Sequence, residues 1–97
     1  MIRERIANYL PKAIQEVANI YVNESYDNVI DTINGADPSE LASSLSDALS
    51  CYFGRDDWME LETVIYDKLV YGRDAKKNIQ DFKDLLITNL NFVELFK

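Results

Sequence analysis

The sequence predicts an all-α fold: a compact bundle or orthogonal array of four to five short helices, in a single helical domain over residues 1–97. Three observations predict it. Apolar residues recur at spacings of three and four along nearly the whole chain, the period of a helix face. Three glycines and two prolines punctuate the chain where such segments start and stop. No run shows the clean apolar–polar alternation between turn residues that marks a half-buried strand. At 97 residues and 47% hydrophobic content, the chain is large enough to bury one core.

Taken in order, Ile2, Ile6, Tyr9 and Leu10 make one face of a first helix. Proline suits a first helical turn better than a helix interior, so Pro11 is expected to open a second helix carrying Ile14, Val17, Ala18 and Tyr21. A break is expected near Asn23-Glu24-Ser25, followed by Val29, Ile30 and Ile33 and a C-capping Gly35. Asp37-Pro38-Ser39-Glu40 has the spacing of a capping box, with Asp37 as the cap and Pro38 in the first turn. The helix it opens turns Leu41, Leu45, Leu49 and Tyr52 inward, with Ala42 and Ala48 beside them, and Gly54 stops it.

Phe53-Gly54-Arg55-Asp56 recurs 18 residues later as Tyr71-Gly72-Arg73-Asp74. Each copy reads as a helix end, a glycine cap, a basic residue and an acid that starts the next helix. Between the copies lies a helix from about 57 to 71, with Leu61, Val64, Ile65, Lys68 and Leu69 on its stripe and Asp57 and Glu60 at capping-box spacing. A last helix begins near Ala75 and carries Ile79, Phe82, Leu86, Leu90 and Val93 at core spacing. Its stretch from Leu85 is apolar on a second side through Phe92 and Phe96, a pattern expected of an oligomer contact, with a homodimer as the simplest form.

Composition narrows the function. With no histidine, histidine-based acid–base catalysis, metal ligation and nucleophilic triads are excluded within one chain. A single cysteine makes neither an internal disulfide nor a cysteine zinc site. Cys51 is expected to be an inert core thiol, because the negative end of a helix disfavours its thiolate. No uninterrupted apolar stretch resembles a secretory signal or a membrane span, and a lone thiol fits the reducing cytoplasm. Catalysis, cofactors and bound metal are not expected.

Charge is unevenly placed. The net charge is −7, and residues 1–36, 37–72 and 73–97 carry −2, −6 and +1. Nucleic-acid binding requires the opposite sign, and anionic membranes repel such a surface. The expected partner is a basic protein or nucleoprotein complex, because complementary charge speeds association and selects partners. The expected contact residues are Asp47, Asp56, Asp57, Glu60, Glu62 and Asp67, with Trp58 as the apolar anchor. Six tyrosines add side chains suited to a half-wet recognition surface. By class analogy, small acidic proteins of this kind inhibit nucleic-acid-handling proteins by filling their positive grooves. Immunity proteins against toxin nucleases and phage anti-defence proteins of the anti-CRISPR type are examples. The alternative expectation is an assembly subunit joined through the apolar last helix.

Gly35-Ala36-Asp37-Pro38-Ser39-Glu40-Leu41 resembles the acyl-carrier-protein attachment motif, in which Asp-Ser-Leu opens a helix of a small acidic bundle. The resemblance covers seven residues and departs from the motif at Pro38 and Glu40. It implies phosphopantetheine on Ser39 as a third and more remote expectation.

Overall fold

A computed structural model describes residues 2–24 and 28–94, with side chains to residue 90. The described residues form five α-helices and no strand: α1 (Ile2–Glu24), α2 (Val29–Asn34), α3 (Pro38–Ser50), α4 (Trp58–Tyr66) and α5 (Ala75–Glu94). A 3₁₀ turn over Arg55–Asp57 leads into α4, and a π-turn over Asp67–Tyr71 leads out of it. The radius of gyration is 13.1 Å, close to the ~13 Å expected for a folded chain of this length.

α1 is the hub, touching each of the other four helices. Its buried face holds Ile6, Ala13, Ile14, Val17, Ala18 and Tyr21. Ala13, Val17 and Ala18 are wholly inaccessible, and their small side chains admit α3 and α5 closely. α3 lies between α1 and α4 and buries Leu41, Leu45 and Leu49. Leu61, Ile65 and Leu69 close the core from the α4 side, and Phe82, Leu86 and Leu90 from α5. These side chains make one continuous cluster. The Ser46 hydroxyl is buried within it and has no hydrogen-bond partner among the described residues.

The periodic stripes therefore lie largely where the sequence puts them, except that Ile30 is 41% exposed and the Val93 side chain lies outside the described residues, whereas several local signals resolve differently. Pro11 does not open a helix but lies inside α1, which runs unbroken to Glu24. It has no N–H to donate to the Ala7 carbonyl, but Ala7 and Pro11 are both exposed, so water can satisfy that oxygen. Of the break expected near Asn23-Glu24-Ser25, Asn23 and Glu24 lie in α1 and Ser25 lies outside the described residues. Asn28 caps α2, its side chain accepting from the Ile30 and Asp31 amides at 2.9 and 3.2 Å. Lys83 of α5 donates to the Asn34 carbonyl at 2.8 Å and covers the other end of α2.

Neither capping box forms. Asp37 is the N-cap of α3, but its side chain makes no capping bond. Glu40 accepts instead from the Tyr21 hydroxyl at 3.4 Å. Asp57 precedes α4 without a side-chain capping bond, because its carboxylate is turned to Arg5 at 3.0 Å. α3 ends at Ser50, before Gly54, with Tyr52 and Phe53 in the following turn. No described glycine has positive φ, so the glycines are not left-handed caps. Gly72 is needed for a different reason: a Cβ there would overlap the Asp67 carbonyl oxygen. Cys51 is exposed rather than in the core, because the helix ends as the chain passes it. Lys68, expected on the core stripe, is exposed as well.

Candidate functional site: the outer face of α4 and its π-turn

α4 buries one side against α3 and α1 and leaves the other open. Met59, Glu62, Thr63 and Tyr66 are spaced by three and four, so they form one stripe of the helix. Met59 is 79% exposed, the most exposed large apolar side chain described. The stripe continues into the π-turn. The Gly72 amide donates to the Asp67 carbonyl at 2.7 Å, five residues back, so this turn holds one residue more than an α-helical turn. In a continuous α-helix, residues five apart point roughly 140° away from each other. Here Tyr71 comes round onto Tyr66, with ring centroids 6.3 Å apart and planes at 24°.

Glu62, Thr63, Tyr66, Asp67 and Tyr71 together line an open cleft of about 430 Å³. Glu62 and Asp67 supply two carboxylates beside the tyrosine pair, and neither is in an ion pair with a described residue. Tyr71 is 78% exposed, so one face of its ring is free for a partner. Acidic groups beside exposed rings suit a guanidinium or ammonium, through charge-assisted hydrogen bonds and cation–π contact.

The other acids expected to contact a partner do not join this face. Glu60 and Glu62, two residues apart, project roughly 160° from each other around α4. Asp57 is occupied by Arg5, whose guanidinium also lies 4.5 Å from the centre of the Phe53 ring. Asp56 is exposed on the 3₁₀ turn. Asp47 is exposed on α3, and no described contact joins its side chain to the α4 acids. Its carbonyl accepts from the Ser50 hydroxyl at 2.7 Å.

Trp58 combines two roles. Its indole Nε1 donates to the Ser50 and Phe53 carbonyls at 3.3 and 3.2 Å, satisfying groups left over where α3 ends. Its ring is still 42% exposed, with the Arg55 guanidinium 5.9 Å from its centre. Of the residues expected in a second, oligomeric contact, Leu85 is 48% exposed on α5. The Phe92 side chain and Phe96 lie outside the described residues.

In the sequence Met59 stands out only as a large apolar residue next to Trp58 and the acids, and Tyr66 and Tyr71 only as two of six tyrosines; their grouping on one face was missed. The spacing of Met59, Glu62, Thr63 and Tyr66 was a usable signal, since it lies opposite the Leu61–Ile65 core face. Tyr71 carried none, because α-helical periodicity places it away from Tyr66. Among the described residues, no group of three potential ligands converges to hold a metal ion, and no helix is long and apolar enough to cross a membrane. Comparison with known proteins finds no matching family model, no matching curated protein and no matching solved structure.

Proposed function

We propose that this protein is a small, acidic, non-catalytic binding protein that inhibits a basic nucleic-acid-handling protein by covering its positive surface. The functional analogues are immunity proteins and phage anti-defence inhibitors. One observation carries the proposal. The outer face of α4 presents Met59 and Tyr71 to solvent beside the carboxylates Glu62 and Asp67, which are in no ion pair with a described residue. Exposed large side chains with polar neighbours are the usual anchors of a protein interface. The carboxylates select a cationic partner and hasten the encounter.

Capture from host lysate, followed by an activity assay on the captured protein, tests this. The wild-type chain should retain a basic nuclease or nucleoprotein and suppress its nucleic-acid binding, less so as salt rises. Glu62→Lys with Asp67→Lys should weaken capture at least about ten-fold, and Asp56→Lys with Glu60→Lys much less. Equal capture by the Glu62/Asp67 variant, or a partner whose nucleic-acid binding is unaffected, would overturn the proposal.

A further inference from the structure

We infer that the groove between α1 and α5 is a binding site for a single-chain amphiphile with an anionic head, such as a medium-chain carboxylate. Two depressions of about 490 and 360 Å³ run along this seam and share Ala7, Leu10, Ile14 and Leu85, the larger also reaching α4 and its π-turn at Val64, Ile65 and Lys68. The larger lies within the ~300–1,000 Å³ typical of small-molecule sites. The groove exists because α1 offers only a methyl group at Ala7, with Pro11 one turn further along the same seam. Across from them Leu85 remains 48% exposed, an apolar surface that the described residues leave uncovered.

The two ends of the groove differ chemically. Arg3, Lys68 and Asp81 line only the larger depression, and Pro11 and Asn89 only the smaller. Asn89 already donates its amide to the Leu85 carbonyl at 2.8 Å. Arg3 and Lys68 are in no ion pair with a described residue, so the charged end carries one net positive charge in a chain of net −7. From Arg3 to Ile14 the helical rise is roughly 16 Å, the reach of a medium-length acyl chain. An anionic head at Arg3 and Lys68 therefore leaves the chain to lie along Ala7, Leu10, Ile14 and Leu85. A cationic head would meet two like charges. Ser39, on α3, does not line the groove, and neither do Glu62 and Tyr71, so the inference is independent of both the carrier-like motif and the α4 face.

Calorimetric titration of the full chain with laurate, dodecanol and dodecyltrimethylammonium, each below its aggregation concentration, tests the site. Laurate should saturate at one molecule per chain, dodecanol should bind about ten-fold more weakly, and the cationic amphiphile more weakly still. Arg3→Glu with Lys68→Glu should abolish the preference for laurate over dodecanol. Ala7→Trp fills the groove from an exposed helix position and should remove laurate binding without changing the melting temperature. If that variant does not fold, Leu85→Lys, at a half-exposed site, provides the same block. The inference is overturned by non-saturable laurate binding, by undiminished binding in the blocked variants, or by equal affinity for the cationic amphiphile. It is also overturned if sedimentation shows a dimer that Leu85→Lys dissociates and laurate does not, since the groove then holds a second copy of the chain.

Discussion

α3 and the α4–π-turn segment are of comparable length, are both amphipathic and pack on each other, yet they treat their apolar side chains differently. α3 keeps Leu41, Leu45 and Leu49 almost wholly inaccessible. The α4 segment buries Leu61, Ile65 and Leu69 equally well but leaves Trp58, Met59 and Tyr71 in solvent. The difference is one of neighbours. α3 is flanked by α1 and α4, whereas the outer side of α4 has no helix beyond it among the described residues. Trp58 still ties down the end of α3 through its indole N–H, but Met59 and Tyr71 contribute little to folding and are available to a partner.

This contrast predicts a graded series of effects. The largest belongs to the core: Leu49→Ala should destabilise the fold by about 3 kcal/mol in urea unfolding, because the lost contacts leave a cavity. A loss below about 1 kcal/mol would mean that α3 is not the packed element described here.

Next comes the partly buried tie between Tyr21 of α1 and Glu40 of α3. Burial, together with the charge and hydrogen bond of Glu40 and the charge of Glu24, pushes the Tyr21 hydroxyl from its ordinary pKa of 10.0 up to about 12. The folded state thus favours the neutral phenol. Its contribution is fully present below pH 10 and is lost as pH rises through about 12, by an amount on the order of 2 kcal/mol. Wild type should lose stability across that window relative to Tyr21→Phe. Parallel pH profiles for the two proteins would show that the Tyr21–Glu40 contact is not maintained in solution.

The third prediction concerns the two copies of the glycine repeat. Gly72→Ala must displace the Asp67 carbonyl, at a cost of about 2 kcal/mol, and should abolish the cross-ring NMR contacts between Tyr66 and Tyr71. Gly54→Ala meets nothing within 4 Å and should be neutral or slightly stabilising. Equal effects at both positions would remove the structural role assigned to the π-turn. The smallest effects belong to the outer face. Met59→Ser and Tyr71→Ser should each change stability by no more than about 0.5 kcal/mol while weakening partner capture. A core-sized loss from either would break the contrast between the segments.

Much of the fold was legible in the sequence because burial follows helical period, and the stripes through Ile14, Leu45, Ile65 and Leu86 all face inward. Signals made of a few residues fared worse, because each depends on competition among partners. Glu40 had the spacing to complete a capping box, but Tyr21, from another helix, takes it. Asp57 had the same opportunity and went to Arg5, which is 52 positions away in the chain. At the candidate site the acids were legible as a count of charge, but their grouping was not. The extra residue in the π-turn is what sets Tyr71 beside Tyr66 and Asp67.

By itself, then, the sequence determined the all-α class, the inward stripes and the concentration of negative charge in residues 37–72. These follow from side-chain chemistry repeated at a fixed helical period. Only the tertiary structure decided which acids remain unpaired, which tyrosines meet and where α1 and α5 leave a groove. Those outcomes depend on contacts between residues distant in the chain, whose competing hydrogen bonds, charges and shapes are resolved only when the helices pack.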